Sequence, residues 1–243
     1  MFTLIDNLKY RLNERRPLSD FISSNIEEDL FLRLIYHSNA ISGNKLSLLE
    51  TKVVLEGITV GGKALREHFE AINHRNAIYY VEDIIRKEEP FSEWQIRNIH
   101  QLILKNIDDD NAGRYRQQNV LISGATTTPP DYTLLNDKMA QLVDWYNSEA
   151  HKLHPIERAA KVHTNFVGIH PFIDGNGRTS RLLMNLELLK AGYPPCVITV
   201  ENRLAYYEAL DQWMAYGKTE PFIQLVAEAV LEGFKPYQLI LEI

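Results

Sequence analysis

The stretch that decides the fold runs His170-Pro171-Phe172-Ile173-Asp174-Gly175-Asn176-Gly177-Arg178-Thr179-Ser180-Arg181. Helical patterns flank it. Ile156 to Ile169 repeats its apolar residues as an amphipathic helix does, and Thr179 to Leu189 reads as a more uniformly apolar one. Between them, two glycines and an Asn tolerate positive φ and let backbone N–H groups converge on one point. A glycine-rich turn that opens a helix is a ready anion site, because the first N–H groups of a helix have no internal partner. Arg178 and Arg181 stand three apart, so both reach one side of that helix start. Arginine favours bidentate contact with phosphate oxygens. Asp174 can hold Mg²⁺ against a phosphate chain. His170 is the nearby group able to take a proton near neutral pH. The residues thus suggest a polyphosphate cradle, a metal carboxylate and a general base within one short segment.

The same string resembles the signature of the Fic family, H-x-F-x-[DE]-G-N-G-R-x-x-R, and matches it at every fixed position. The resemblance runs from about Leu34 to about Val230. It implies an all-α fold, a Fic-type helical bundle with a small β-hairpin flap over the active site. It implies transfer of AMP from ATP to a hydroxyl side chain (Ser, Thr or Tyr) of a target protein, releasing pyrophosphate. ATP with Mg²⁺ is then expected across Gly175, Asn176, Gly177, Arg178, Thr179, Ser180 and Arg181, with Asp174 on the metal and Phe172 packed inward to fix the loop. His170 is the expected base. Tyr206 and Tyr207 are expected to flank the adenine. Some relatives place an Asn near the adenine where Met214 stands here. Rival readings on the same scaffold are transfer of UMP, phosphocholine or phosphate. A noncatalytic nucleotide-binding regulator is a third reading.

Upstream, Ser38-Asn39-Ala40-Ile41-Ser42-Gly43 resembles the family's regulatory motif, [ST]-x-x-x-E-[GN]. Ser38 and Gly43 match it, and Ser42 stands where the family has Glu. In the family that Glu pairs with the second signature arginine, here Arg181, and obstructs seating of the γ-phosphate; the resemblance also allows AMP removal by the Glu form. A serine hydroxyl is short and uncharged, so a de-repressed enzyme is expected. The alternative is that Ser42-Gly43-Asn44 simply ends a helix.

Residues 1–30 read as a peripheral helical segment, with Leu4, Leu8 and Leu12 on one face and a second helix capped at Ser24-Asn25. Residues 31–243 read as one helical domain, including the regulatory helix (about 30–44), the flap (about 114–130) and the signature loop (170–181). Val120 to Ile122 is β-prone, and Gly124 and Pro129-Pro130 are breakers. Its place in the chain matches the flap, with Ile122, Ser123 and Gly124 expected to hold the target segment by strand addition. Gly57 to Ala64 nearly fits a phosphate-loop pattern, but Ala64 replaces the magnesium-binding hydroxyl, so a turn joining two helices is expected. His163 precedes His170 by seven residues; further zinc ligands are not evident, and a packed histidine is expected.

The chain has 243 residues, 45% of them hydrophobic, with a net charge of −6. That is an ordinary globular composition, and it argues against nucleic-acid binding. No apolar run is long enough for a membrane helix, and no secretory leader is recognisable at the N-terminus. The one cysteine, Cys196, permits no internal disulfide, which fits a cytoplasmic setting. The expected partner is a target protein bearing a hydroxyl, the chain itself included; the resemblance also allows a homodimer.

Overall fold

The computed structural model describes residues 1–242. Eleven α-helices follow one another: α1 (Phe2–Glu14), α2 (Asp20–Ile41), α3 (Leu48–Leu55), α4 (Leu65–Arg86), α5 (Glu93–Leu104), α6 (Leu135–Ser148), α7 (Pro155–Ile169), α8 (Asn176–Lys190), α9 (Arg203–Tyr216), α10 (Glu220–Gly233) and α11 (Lys235–Leu241). Local sequence explains several boundaries. Ser47 and Glu50 form a reciprocal capping box at α3. Pro155 occupies the first turn of α7, where its missing N–H costs nothing. The second helix begins earlier than expected, with Ser19 rather than Ser24-Asn25 as its cap.

Helix α8 is the centre of the body. It is buried from Arg178 to Leu188, so its charged and amide side chains meet protein partners instead of solvent. Leu182, Leu183 and Leu186 join one apolar cluster with α4, α5, α6 and α7. Met184 and Leu188 join a second, built with α1, α7, α9 and α10. Truncating such a leucine to Ala removes about 2–5 kcal/mol. One charge sits inside: Glu187, with no exposed surface, accepts from Arg158 Nε at 2.8 Å and Tyr146 Oη at 2.7 Å. Both partners are needed, because an unpaired carboxylate at that depth would be strongly destabilising. In α1 the inward face is Ile5, Leu8 and Leu12, while the expected Leu4 is 53% exposed.

The expected β-hairpin flap is absent. Among the described residues there is no strand, and residues 117–131 form an irregular loop. A hairpin needs a second arm that can donate along a ladder, and Pro129 and Pro130 have no N–H. The guanidinium of Arg116 takes the place of a ladder. It donates to Gln118 O at 2.8 Å on one arm and to Pro130 O at 2.6 Å on the other. Asn119 closes the base through Asp131 Oδ2 (2.7 Å) and the Tyr132 N–H (2.9 Å). The near-phosphate-loop segment is a turn between α3 and α4, with Lys63 Nζ donating to Lys45 O at 2.6 Å.

Candidate active site

Helix α7 ends on His170, which adopts a left-handed conformation (φ 50°, ψ 58°). The chain then turns through Phe172 and enters α8 at Gly175 (φ 79°). A Cβ on Gly175 would lie 3.2 Å from the His100 ring and 3.3 Å from Ile103 Cγ2, so both conformation and space require glycine there. Asn176 binds the loop to itself: its amide accepts from Phe172 N at 3.0 Å and donates to Phe172 O at 2.8 Å. That side chain is engaged within the loop rather than offered to a ligand. The first i→i−4 bond of α8 runs from Thr179 to Gly175. The N–H groups of Asn176, Gly177 and Arg178 therefore precede it and mark the helix mouth.

Beneath the loop lies His100 of α5, a residue that no motif in the sequence singles out. Its ring stacks on Phe172 with centroids 3.5 Å apart. Nδ1 accepts from Gly113 N at 2.9 Å, so the proton sits on Nε2, which donates to Asp174 O at 2.8 Å. Burial holds its pKa down to about 4, consistent with that neutral tautomer. Above the loop is Arg116, 3% exposed. Its Nε donates to His170 O at 2.9 Å and its backbone N–H to Pro171 O at 2.9 Å. Both residues come from far along the chain, and no local pattern marks them.

His170 itself is brought down to about 4, chiefly by burial, with the Arg116 charge acting the same way and the Val167 carbonyl opposing. Its Nδ1 is buried without a hydrogen-bond partner. The ring is neutral at physiological pH. Burial pushes Asp174 up, but Arg178, the Gly175 N–H and Arg66 outweigh it and hold the carboxyl below its ordinary range. Its oxygens lie 2.5 Å from Arg66 Nη2 and 3.4 Å from Arg178 Nη2. Arg178 also faces Glu70 at 3.3 Å, and Asn44 anchors Glu70 from the turn after α2 at 2.8 Å.

Arg181 differs from Arg178. It is 3% exposed, yet every partner is neutral. Nε donates to Ser38 Oγ (2.9 Å), Nη2 to Ser38 O (2.7 Å) and Ser42 Oγ (2.8 Å), and Nη1 to Tyr206 Oη (3.2 Å). Ser38 and Ser42, at the end of α2, thus both meet Arg181. Tyr206 is 1% exposed and faces inward, so it orients Arg181 instead of presenting its ring to a ligand. Tyr207 is 44% exposed and bonds Ile41 O at 3.2 Å. His163 is packed: Nε2 lies 2.9 Å from Tyr206 Oη and 3.0 Å from Ser180 Oγ. Thr179 and Ser180 are fully buried, leaving only their backbone near the mouth. Ile122, Ser123 and Gly124 form a tight turn at the loop tip, closed by Ala125 N to Ile122 O at 3.1 Å, with Gly124 at φ 82°.

The portion of Fic-1 from C. elegans spanning residues 134–508 superposes with a TM-score of 0.88 at 32% identity, covering 99% of this chain and 72% of that one. The chain belongs to the Fic/DOC family. The Fic/DOC family profile matches residues 90–188, which include the whole signature. The protein adenylyltransferase fic-1 of Caenorhabditis briggsae is 40% identical over 207 residues, 84% of this chain. The protein adenylyltransferase Fic of Nematostella vectensis is 41% identical over 213 residues, 86% of this chain. The chain spans only 40% and 49% of the length of these two curated relatives. No helix among the described residues is long and apolar enough to cross a membrane.

Proposed function

We propose that this Fic/DOC chain transfers AMP from ATP onto a hydroxyl side chain of a target protein. The observation that carries the reading is Arg181, a buried guanidinium with four neutral hydrogen bonds and no carboxylate partner among the described residues. A buried cation without a counter-ion favours an incoming anion. Arg181 stands on the α8 mouth with Arg178, one loop away from a neutral histidine. The names of the relatives above point to the same activity.

In this reading the outer phosphates of ATP lie against Arg178, Arg181 and the free N–H groups of the mouth. His170 accepts the proton of the target hydroxyl as its oxygen bonds to the α-phosphorus, and the α–β phosphoanhydride bond breaks to release pyrophosphate. Positioning and charge neutralisation supply most of the rate in such transfers. Asp174 suits Mg²⁺: its carboxylate is ionised and about half exposed beside Arg66 and Arg178, and could join an ion held mostly by phosphate oxygens and water. When bound, that ion would neutralise charge on the phosphate chain. Tyr207 is the accessible ring for the adenine. Met214, whose Cε would lie 3.9 Å from a Cβ on Gly168, offers no polar contact to the base.

Ser42 holds the place of an inhibitory carboxylate, and its hydroxyl leaves the Arg181 charge uncancelled; the chain is accordingly active without a releasing signal. The test is incubation with a lysate and ATP labelled on its α-phosphorus. Transferred label with the mass of AMP supports the reading, and His170→Ala should lower the rate by ~10²–10⁴-fold while still binding nucleotide. Label transferred only from the γ-position would identify phosphate transfer. Nucleotide binding with no transfer would identify a noncatalytic regulator.

A further inference from the structure

Without a hairpin, the arm Val120-Leu121-Ile122 lacks a neighbouring strand to hold it straight. Among the described residues the N–H groups of these three make no backbone hydrogen bond, and Leu121 is 82% exposed. The base of the loop is fixed by Arg116 and Asn119, as described. Its tip is fixed by one residue on another helix. Asp211 of α9 accepts from Thr126 N at 2.7 Å through Oδ1 and from Thr126 Oγ1 at 2.6 Å through Oδ2. Thr126 directly follows the turn Ile122–Ala125. A carboxylate that receives two donors from one residue fixes both its position and its orientation, and both bonds are charge-assisted. The two contacts hold Asp211 below its ordinary carboxylate range, so it is ionised at neutral pH.

We propose that Asp211 is a positioning residue for the acceptor protein: by clasping Thr126 it holds the free edge of residues 120–122, in the loop whose base Arg116 ties to the His170 carbonyl, ready to pair with an extended acceptor segment. The proposal rests on the AMP-transfer reading for its consequence, but the clasp itself can be read without catalysis. An arm already ordered costs an incoming strand less conformational entropy than a free loop does. Loss of the clasp should therefore weaken acceptor binding and leave the reacting groups in place. The clasp joins the loop to the same helix whose Tyr206 orients Arg181. In this reading α9 links the acceptor-side loop, through Asp211, to the Arg181 end of the nucleotide site, through Tyr206.

The test uses the full chain carrying Asp211→Asn or Thr126→Val, with Thr126→Ser as the variant that keeps the hydroxyl. Amide hydrogen exchange across residues 118–128 is measured first. Steady-state transfer follows, with the purified protein that takes the label in the lysate experiment as acceptor. The expected result is at least ~10-fold faster exchange in the first two variants. KM for the acceptor should rise by a similar factor, with kcat and KM for ATP near parental values and Thr126→Ser like the parent. Unchanged exchange in both variants would overturn the proposal whether or not AMP is transferred. Faster exchange with an unchanged acceptor KM would overturn it too, leaving the clasp a merely structural tie. A parent chain that transfers no AMP, with the exchange difference intact, would strike the transfer reading alone.

Discussion

At the scale of single residues, His100 and Ser42 show how much depends on one hydrogen bond. His100 serves Gly113 N and Asp174 O with its two nitrogens while its ring supports Phe172. His100→Phe keeps the stack and strands both backbone groups. The expected loss is on the order of 1–3 kcal/mol, measured by denaturant unfolding, with transfer reduced because Asp174 loses its seat. Ser42 is the opposite case, a contact too weak to cancel a charge. Ser42→Glu places a carboxylate beside Arg181, and auto-modification with α-labelled ATP should fall at least tenfold, by roughly the 1.5–3 kcal/mol of a charged hydrogen bond. Equal rates in the two proteins would refute a regulatory role for this position.

At the scale of elements, the sequence was most informative where the chemistry is local. The signature loop could be read because the residues that form it are contiguous: glycines for the turn, Asn176 for its closure, arginines for the helix mouth. The helices on either side were legible from spacing. The flap was misread for the complementary reason. A β-prone arm says nothing about its partner, and here the partner arm carries two prolines and is held by a distant guanidinium. Arg116, His100 and Asp211 all act across long stretches of chain, so no periodicity could reveal them. The inward contacts of Tyr206 with Arg181 and His163 were not legible, since a ring on a helix gives no sign of which way it faces. Arg116 also supplies a prediction at this scale. Lysine keeps the charge but not the fork, so Arg116→Lys can satisfy only part of the set His170 O, Gln118 O and Pro130 O. Residues 117–131 should then be cut faster in limited proteolysis, and transfer should fall with little change in melting temperature.

At the scale of the whole molecule, four buried neutral histidines set the response to acid. His74 is held to about 3, His100 and His170 to about 4, and His163 well below its ordinary value, in each case first by burial. All four are neutral when folded and take up protons near pH 6.5 when unfolded. The unfolded chain therefore binds more protons below that point, and stability is lost as pH falls from about 6.5 towards 4. Each histidine contributes up to about 1.4 kcal/mol per pH unit, so four contribute up to about 5–6 kcal/mol per unit. Set against a typical stability of about 5–15 kcal/mol, this places acid unfolding between about pH 4 and 6. Circular dichroism across that range is the check; a midpoint below pH 4 would mean that the histidines protonate in place.

The helix that presents the arginines is also the rod around which both apolar clusters are assembled. A molecule that grips its open end steadies the innermost part of the body. Occupancy should accordingly be visible as heat resistance, with no transfer needed. At a hundredfold excess over Kd a ligand adds about 2.7 kcal/mol, or roughly 5–10 °C for a chain of this size. A dye-based melt across nucleotides would thus rank the donors by fit before any acceptor is known.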